Sequence, residues 1–385
     1  MKAAVRVLLV YGYSPSGHAA AASSLEEAFR AEGALVSKVE VSEGHHPRAG
    51  RTVARGYHAL LRAFPGLYGA LYGSTSARKA LRGIRSAYLS AGGANRLIAG
   101  VRREAPDLIV CPQAAVAAVF AQARARGELD VPVVAVLTDY AAHPFWADPA
   151  ADFVIAPSQD VADLLERLGV PSDRLSVHGI PIHPAFSSLP SRGEARKSLA
   201  LPPSAPVVLL TGGSQGLGGL DAMAQALLRA APRASVLALC GANDGLRRSL
   251  SRLGEAGGRL RAFGPQPPAL VAAMLAASDL HLGKPGGLTA AESLAAGAPM
   301  VLATPLPGQE RANARHLIEV GAAVMGGEPK KAALVCAGLL GDRPRLAALR
   351  AAALAAGRPE AAGEIARSLT HAAQTGRMAR GHEVR

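Results

Sequence analysis

Short apolar strands alternate with helices along most of the chain, and this alternation constrains the fold more than any other sequence feature. The runs at 5–10 and 207–211, for example, each lead into a glycine-containing turn and a helical stretch. Such alternation favours a parallel sheet with helices on both faces. The predicted strands span residues 5–10, 35–40, 108–111, 133–137, 153–156 and 175–178, and then 207–211, 235–240, 260–263, 280–282 and 300–303.

The alternation of strands and helices occurs in two successive series, which predicts two domains in a chain of 385 residues. We assign the first domain to 1–183, a linker to 184–204, the second domain to 205–360, and a C-terminal extension with a frayed basic tail to 361–385. The predicted fold class is α/β, with two Rossmann-like, doubly wound domains facing a cleft. Ligands of open parallel sheets bind at the carboxyl ends of the strands, so we expect the functional loops there.

Cysteine content and hydropathy exclude two classes of protein. The three cysteines lie far apart in sequence, which argues for a reducing compartment and against a disulfide framework or a zinc site. No apolar stretch reads as a membrane span, and the N-terminal apolar run reads as a first strand rather than a signal peptide. We therefore expect a protein of a reducing compartment without a membrane-spanning helix.

The basic residues are concentrated in one stretch. The net charge of the chain is +13, and residues 44–103 hold eleven Lys or Arg and no Asp or Glu. Apolar side chains recur there three or four residues apart, which is typical of a helix lying in the interface of an anionic membrane. The alternative is a solvated helix with its apolar face in the core. Nucleic acid is not expected, because no binding motif accompanies the charge. Representative positions are Arg55, Arg62, Phe64, Tyr68 and Tyr72.

The segment Gly283-Lys284-Pro285-Gly286-Gly287 is the strongest candidate for a binding site. A strand ends, two glycines turn the chain, and a helix begins that continues through Leu288, Thr289 and Glu292. The free N–H groups of a helix start bind anions, and the glycines let a pyrophosphate approach the backbone closely. Lys284 adds a positive charge, and Glu292 can accept hydrogen bonds from ribose hydroxyls. The alternative is a tight turn with an exposed glutamate.

The loop after the next strand, 304–313, should reach the same edge of the sheet. Gln309 and Glu310 stand where a helix could start, and we assign Asn313 to the donor as well. Amide and carboxylate groups suit the hydroxyls of a hexose, since each hydroxyl both donates and accepts. This loop therefore predicts a hexose next to the anion. The alternative is that Glu310 only stabilises the helix start.

Two more loops of the second domain follow strands. The glycine-rich run 211–219 contains Gly213 and Ser214 and suits a phosphate or a closely approaching acceptor. It is not the dinucleotide fingerprint, because no acidic residue closes the next strand. Phe263 and Gly264 open the loop 263–267, and we assign them to the donor as well. Glycine-rich loops alone are weak signals, so a plain turn is the alternative.

In the first domain, His18 ends the first strand-to-helix loop. A neutral imidazole there can act as a general base on an attacking hydroxyl, and the helix start disfavours its protonated form. Asp139 follows the fourth strand and could orient His18 or take the proton itself. The alternatives are a packed histidine and an Asp turn cap with an aromatic lid. The residues that we assign to the acceptor are Gly17, Tyr140, His143 and Trp146.

Several of these segments form a combination that points to one family. They are Gly17-His18, Thr138-Asp139-Tyr140 with His143 and Trp146, Val177-His178-Gly179-Ile180-Pro181-Ile182, Lys284-Pro285-Gly286-Gly287-Leu288-Thr289 with Glu292, and Pro307-Gly308-Gln309-Glu310 with Asn313. The combination resembles the monogalactosyldiacylglycerol synthase family, which includes bacterial processive diacylglycerol glucosyltransferases. That family is related to the N-acetylglucosaminyltransferase that makes lipid II. The resemblance runs from about residue 5 to residue 325.

The resemblance implies a GT-B fold, a UDP-hexose donor, a lipid acceptor such as diacylglycerol, inversion at the anomeric carbon, and no cofactor or catalytic metal. It also implies that Glu292 holds the ribose, that Gln309 and Glu310 hold the sugar, and that His18 is the base. Peripheral association with the cytoplasmic face of the inner membrane is implied too. The family usually has glycines before this histidine. Here Ser14-Pro15-Ser16 stands there instead, and this stiffer loop leaves a different acceptor or acceptor pose open.

Three other functions fit the same residues. A UDP-sugar epimerase would need no lipid, a non-catalytic sensor at the membrane would bind UDP-sugar without transfer, and a lipid II-type transferase would differ only in its acceptor. The sequence distinguishes neither glucose from galactose nor one sugar transfer from two, and it leaves the oligomeric state open.

Overall fold

A computed structural model of the chain describes residues 4–12, 14–41, 94–142, 146–147, 150–255 and 257–376. The chain divides into two compact units. The first comprises residues 1–184 together with 360–385, and the second comprises 185–359. The predicted interfacial positions Arg55, Arg62, Phe64, Tyr68 and Tyr72, and the predicted acceptor residue His143, lie outside the described residues.

The first unit is built on a six-stranded parallel sheet in the order β2-β1-β3-β4-β5-β6. Its central strands are short and buried on both faces, which suits a parallel sheet covered by helices. The strand order reverses between β1 and β3, the place where open sheets of this kind bind ligands. The elements are β1 (Arg6–Tyr11), α1 (Gly17–Ala31), β2 (Leu35–Glu40), α2 (Ala94–Glu104), β3 (Leu108–Cys111), α3 (Ala114–Ala125), β4 (Val133–Val136), β5 (Phe153–Ala156), α4 (Gln159–Arg167) and β6 (Leu175–Val177).

The second unit has the same architecture, with a parallel sheet in the order β12-β11-β10-β7-β8-β9. Its order reverses between β7 and β10, so the loops after these two strands flank the expected ligand position. The elements are α5 (Arg192–Ser198), β7 (Val207–Thr211), α6 (Leu220–Ala230), β8 (Ser235–Leu239), α7 (Asp244–Glu255), β9 (Leu260–Phe263), α8 (Pro268–Ala277), β10 (Leu280–Gly283), α9 (Gly287–Ala295), β11 (Met300–Ala303), α10 (Gln309–Glu319), β12 (Ala323–Gly327), α11 (Pro329–Gly341) and α12 (Arg343–Ala356).

Every predicted strand is present, with ends that differ by at most one residue. The sequence prediction missed α3, whose alanine-rich run is buried broadly and lacks a polar face, and β12, which contains two glycines. The alanine- and leucine-rich sequence of 330–355 predicts one helical stretch, but the structure has two helices there, because the chain breaks at Asp342. The Asp342 carboxylate accepts a hydrogen bond from the Arg345 N–H at 3.1 Å and caps the second helix. Among the helices that the structure describes, none is both long and apolar enough to cross a membrane.

The segment predicted as a linker, 184–204, is part of the second unit. It contains α5, which begins with a capping box between Ser191 and Glu194 and packs against α8. Arg196 is 6% exposed, and its guanidinium pairs with the Asp279 carboxylate at 2.8 Å. Buried charge pairing therefore fixes this segment, whereas the prolines in its sequence suggested a free connection.

The C-terminal extension also belongs to a folded unit. Residues 361–374 form α13 (Ala361–Gln374), which packs against α1 in the first unit. Ile365 and Leu369 of α13 are buried in a cluster with Phe29 of α1. The His178 ring faces the Glu364 carboxylate at 3.4 Å. The sequence analysis did not predict this helix, whose packing partner α1 lies near the other end of the chain.

Candidate functional site

The start of α9 in the second unit provides an anion-binding position. β10 ends at Gly283, Gly286 is the N-cap residue with an extended backbone, and no side chain caps this helix among the described residues. The first-turn N–H groups are therefore available to a ligand, and the helix dipole favours a negative one. A Cβ on Gly283 would lie 2.6 Å from the Thr211 carbonyl oxygen, so glycine is required for the close contact of β7 with β10.

Lys284 and Glu310 join two of the predicted loops. The Lys284 Nζ lies 2.6 Å from the Glu310 Oε1, and both side chains are mostly buried. The Glu310 Oε2 accepts a hydrogen bond from the Leu306 N–H at 2.7 Å. The loop after β11 therefore reaches the loop after β10, as the strand order of a parallel sheet predicts. The carboxylate retains lone pairs that can accept hydrogen bonds from a sugar hydroxyl.

The glycine-rich loop after β7 contacts the same lysine. Gly218 has φ of +97°, and a Cβ there would lie 2.8 Å from the Lys284 Cδ. Gly213 and Ser214 form a short 3₁₀ turn, and a Cβ on Gly241 would lie 2.4 Å from the Ser214 carbonyl oxygen. Three loops from neighbouring strands therefore meet around Lys284, as predicted. Gly218, which sequence reasoning did not single out, gives the lysine stem its room.

Glu292 lies in α9 and is partly buried, along with Leu288 and Thr289 in the first turn. Burial raises the pKa of Glu292 to about 7. The carboxyl is therefore divided between its protonated and ionised forms near neutral pH. A ligand whose hydroxyls donate to the carboxylate favours the ionised form.

His281, at the centre of β10, was not singled out from the sequence. It is fully buried, with the Thr211 Oγ1 2.7 Å from its Nε2 and the Ser293 Oγ 2.6 Å from its Nδ1. Ser293 donates its only proton to the Thr289 carbonyl at 2.8 Å, so it accepts from the Nδ1–H of His281. The Nε2 then accepts from the Thr211 hydroxyl. Burial lowers the pKa of His281 to about 3, which keeps this ring neutral.

This buried hydrogen-bond network connects the elements that form the anion-binding position. Thr211 ends β7, His281 belongs to β10, and Ser293 and Thr289 belong to α9. Because every member has a partner, the network fixes the start of α9 against the sheet. His281 thus positions the loop between β10 and α9 without facing the ligand itself.

Asn313 and Gln309 lie on α10. Asn313 is fully buried, and its Nδ2 donates to the Pro285 carbonyl at 3.0 Å. It therefore supports the Lys284 loop from inside the unit, whereas the sequence analysis assigned it to the donor itself. Gln309 is the first residue of α10 and is partly buried, next to Glu310.

Phe263 and Gly264 lie at the carboxyl end of β9, the edge strand of the sheet. The Phe263 carbonyl accepts from the Cys240 N–H at 2.9 Å, and the Arg261 guanidinium stands 5.4 Å from the ring centroid. Both residues are partly exposed at the same edge as the Lys284 loop. They are two strands away from β7, or about 10 Å.

In the first unit, His18 stands in the first turn of α1, after Gly17, which begins the helix. Ser16 caps this helix by accepting from the Ala19 N–H at 3.2 Å. The Thr138 Oγ1 lies 3.1 Å from the His18 Nδ1, and the ring also hydrogen-bonds the backbone of Pro112. Burial lowers the pKa of His18 to about 4, and the Pro112 contact opposes this shift.

These contacts place His18 at the point where the strand order reverses. Pro112 follows β3 and Thr138 follows β4, so groups from two strand ends hold a ring from the β1 loop. The prediction named Asp139 as the residue that could orient His18. The structure gives this hydrogen bond to its neighbour Thr138, and a direct role of Asp139 stays a prediction.

Gln113 is a second polar group at this point that the sequence analysis missed. Its Oε1 is buried and has no hydrogen-bond partner among the described residues. A Cβ on Gly12 would lie 2.3 Å from that oxygen, so the glycine after β1 makes room for the amide. A buried acceptor without a partner is rare in folded proteins and is common where a ligand completes the site.

Two of the predicted acceptor residues have a structural role. Trp146 is 5% exposed and packs in the hydrophobic core of the first unit, and its assignment to the acceptor stays a prediction. Tyr140 is also buried, at 7% exposure. Burying a large aromatic ring gains more free energy than leaving it on a loop surface, which accounts for this placement.

The described residues contain no group of three or more His, Cys, Asp or Glu side chains arranged to hold a metal ion. The three cysteines are free and buried, and burial raises their pKa values. They therefore serve as packing groups.

Comparison with known proteins extends these observations. The model of the monogalactosyldiacylglycerol (MGDG) synthase family matches residues 18–182. A probable monogalactosyldiacylglycerol synthase 2, chloroplastic, of Oryza sativa subsp. japonica is 30% identical over 346 residues, which cover 86% of this chain and 72% of the relative. The processive diacylglycerol beta-glucosyltransferase of Staphylococcus saprophyticus subsp. saprophyticus is 26% identical over 332 residues, which cover 85% of this chain and 82% of the relative.

Among solved structures, the MurG protein of Acinetobacter baumannii has a TM-score of 0.61 to this chain at 17% identity. The match covers 95% of this chain and 99% of that one. At this identity the likeness concerns the fold alone. It confirms the predicted α/β fold of the GT-B type.

Proposed function

The chain belongs to the monogalactosyldiacylglycerol synthase family, and from that premise we propose that it is an inverting glycosyltransferase moving a hexose from UDP-hexose to a lipid acceptor, diacylglycerol in the simplest case. The observation that carries the proposal is the convergence of three strand-end loops on Lys284. The ion pair of Lys284 with Glu310, at 2.6 Å, sets a cation for a pyrophosphate beside a carboxylate for a sugar.

The order of loops along the sheet edge fits a sugar nucleotide. From β9 through β8, β7 and β10 to β11, the strand ends present Phe263, then Gly213, then the Lys284 loop, and last Glu310. Four inter-strand spacings amount to about 19 Å. We assign the uracil ring of UDP to the Phe263 end of this row. The pyrophosphate lies at the starts of the loops after β7 and β10, and the hexose lies at the Glu310 end. Glu292 receives the ribose hydroxyls.

The pyrophosphate leaves as charge builds on it, and this chain's own groups stabilise that charge. Lys284 supplies a cation, and the first-turn N–H groups of α9 supply oriented dipoles. Such groups are already in place before the reaction, so little reorganisation is needed. We propose that this arrangement serves without a metal ion, and chelation is its test.

His18 is the proposed general base. Its low pKa, about 4, leaves the imidazole neutral at physiological pH and able to take the proton of an acceptor hydroxyl. The hydroxyl oxygen then attacks the anomeric carbon from the side opposite UDP, which leaves with the bonding electron pair. The Pro112 carbonyl can only accept a hydrogen bond from a ring N–H, so the other ring nitrogen takes the proton of the substrate. The Gln113 Oε1 can accept a hydrogen bond from the same substrate.

The acid-free basic stretch suggests where the reaction takes place. Residues 44–103 hold eleven Lys or Arg and no Asp or Glu, and cationic segments of this kind bind anionic lipid surfaces. We propose peripheral attachment to the cytoplasmic face of a membrane, where a lipid acceptor is available. Nucleic acid is not part of the proposal.

Incubation with radiolabelled UDP-glucose and UDP-galactose plus a total lipid extract tests the function directly. The expected result is one labelled glycolipid that appears with one donor, persists in the presence of a chelator, and comigrates with a glycosyl-diacylglycerol. A Lys284→Met variant should fail to label lipid, while Lys197→Met, a change on α5, should not alter labelling. Epimerised UDP-sugar without labelled lipid would favour an epimerase, and UDP-sugar binding without turnover would favour a sensor.

A further inference from the structure

A second polar cluster lies at the opposite edge of the second unit's sheet. Asp279 directly precedes β10, and Pro206 directly precedes β7, so both stand at the amino ends of the strands. The strands are parallel, and β10 spans four residues, or about 13 Å, between Asp279 and the Lys284 loop. This cluster is therefore separate from the proposed donor site.

Asp279 is the centre of the cluster and has several partners. Its Oδ1 accepts from Arg192 at 2.8 Å, and its Oδ2 accepts from Arg196 and from the Val207 N–H, each at 2.8 Å. Arg196 also donates to the backbone carbonyls of Ala277 and Pro203. Arg196 and Asp279 thus pair with each other and also hydrogen-bond backbone groups next to β7 and β10.

Two further arginines at this edge have no such partners. Arg343 and Arg350 of α12 line a cavity of about 380 Å³ together with Arg192, Arg196 and Ser204. Neither Arg343 nor Arg350 donates a hydrogen bond to any residue in the part of the chain that the structure describes, and the Nη1 of Arg350 is fully buried. Each guanidinium offers five N–H donors and no acceptor, so this cavity is rich in unused donors.

The charges in the cavity are unbalanced. Four guanidinium groups face a single carboxylate, Asp279, which leaves an excess of three positive charges. Burial lowers the pKa of Arg350, the neighbouring charges of Arg192 and Arg196 lower it further, and Asp279 opposes them. Arg343 is exposed and Arg192 is partly exposed, whereas Arg196 and the Nη1 of Arg350 are buried. Buried charge of one sign is unfavourable unless a group of opposite charge joins it.

We propose that this cavity binds a phosphate-type dianion, held by Arg343 and Arg350 with the help of Arg192 and the Ser204 hydroxyl. Planar guanidinium groups recognise phosphate oxygens in a bidentate manner, which favours phosphate over a monovalent anion. The cavity holds several times the volume of one ion, so a phosphate monoester fits as well as inorganic phosphate. The phosphate group can come from a soluble metabolite or from a lipid headgroup.

Calorimetric titration of the full chain with inorganic phosphate tests the proposal. The titration is done with UDP at saturation, so that the donor site is occupied, and at constant ionic strength. We expect saturable binding that Arg350→Met and Arg343→Met each weaken by about 10- to 100-fold, the loss expected for a hydrogen bond to a charged group. Arg345→Met, on the same helix but outside the cavity lining, should bind as the wild type does.

Thermal unfolding separates a binding role from a structural one. In phosphate-free buffer Arg350→Met should melt at the wild-type temperature or above it, because the change removes an unpaired charge. Added phosphate should raise the Tm of the wild type and leave that of Arg350→Met unchanged. A lower Tm for Arg350→Met without phosphate, together with an unchanged phosphate response, would overturn the proposal.

Vesicles distinguish the two sources of phosphate. Binding of phosphatidic acid vesicles is compared with that of neutral phosphatidylcholine vesicles, for the wild type and for Arg343→Met with Arg350→Met. A loss of phosphatidate binding in the double variant would assign a lipid headgroup, and an effect limited to inorganic phosphate would assign a soluble ligand. Binding of both ligands that is indifferent to the double variant, or phosphate binding that UDP abolishes, would contradict the site.

Discussion

His18 in the first unit and His281 in the second are both neutral imidazoles held by a threonine hydroxyl, and they differ in access. His281 is fully buried, with both ring nitrogens committed and a pKa of about 3. His18 stands in the first turn of α1, is partly exposed, and has a pKa of about 4. Both pKa values are low because burial disfavours the charged ring. A shifted pKa alone therefore does not identify a catalytic base. The ring must also be accessible to the substrate.

The comparison assigns separate roles to the two rings. His18 should act on substrate, and its loss should affect rate more than stability. His281 should hold the Lys284 loop, and its loss should affect stability and donor binding more than the chemical step. Each prediction below tests one side of this division.

Replacing His18 with Ala should have the largest effect on catalysis. Loss of a general base typically lowers the rate by about 10²- to 10⁴-fold. The free energy of unfolding should change by only about 1–3 kcal/mol, since the partly exposed ring loses its hydrogen bonds to Thr138 and to the Pro112 backbone. Steady-state kinetics with a working acceptor gives kcat, and urea denaturation gives the stability. A wild-type kcat in this variant would remove His18 from the mechanism.

A Thr138→Val variant serves as the matched control. It keeps the shape of the residue that contacts His18 and removes the hydroxyl. Because the base itself remains, we expect a smaller loss of kcat than for His18→Ala. An equal loss would indicate that the ring acts as a base only while the Thr138 hydroxyl holds it.

Replacing His281 with Ala should lower the free energy of unfolding by about 2–4 kcal/mol, because it leaves a cavity and removes the hydrogen-bond acceptor of the Thr211 hydroxyl. The KM for the donor should rise as the start of α9 loosens. Denaturation and kinetics on the same preparation measure both quantities. A stable variant with a normal donor KM but a lost kcat would reverse the roles of the two histidines.

The stability of the wild type should also depend on pH through both rings. A histidine whose pKa is lowered on folding stays unprotonated at pH values where the unfolded chain binds a proton, so the free energy of unfolding falls as the pH decreases. This decrease runs from about pH 6.5 towards 4 for His18 and towards 3 for His281. Each ring contributes up to about 1.4 kcal/mol per pH unit in that window. His281→Ala should flatten the pH profile of unfolding by that amount, and an unchanged slope would contradict a neutral buried ring.

Glu292 provides the corresponding test with the opposite sign. Its raised pKa, about 7, means that the folded chain keeps a proton that the unfolded chain has lost, so Glu292 favours folding as pH falls from 7 towards 4.5. Ribose hydroxyls donate to the ionised carboxylate, so UDP should bind about tenfold more tightly at pH 8 than at pH 6. The terminal phosphate of UDP titrates as well, and Glu292→Gln isolates that contribution. Equal pH dependence in both proteins would exclude Glu292 from the ribose site.

Much of this arrangement can be predicted from sequence, for physical reasons. Apolar runs of three to six residues, several of them followed by glycine, define parallel strands and their carboxyl ends. Parallel topology then gathers the loops at 11–18, 211–219, 283–288 and 304–313 at strand ends, which is why His18, Lys284 and Glu310 could be named.

The rest depends on packing that a single sequence does not encode locally. His281 occupies an inward position of a buried strand, and nothing in its neighbours indicates hydroxyls that lie 70 and 12 residues away. Trp146 looked like a loop aromatic but fills the core. Arg192 and Arg196 lie in the segment that was predicted to be a linker, whereas Asp279 fixes them at the edge of the second sheet.

The stereochemistry of the lipid product tests the central claim most directly. UDP-hexoses carry an α-linked sugar, and attack by a hydroxyl that His18 deprotonates, from the side opposite UDP, converts it in one step to a β-glycoside. Proton NMR of the purified glycolipid, made from UDP-glucose or UDP-galactose and diacylglycerol, reads the anomeric configuration. The account predicts a β-linked hexose on diacylglycerol. An α-linked product, or no glycolipid with either donor, would contradict it.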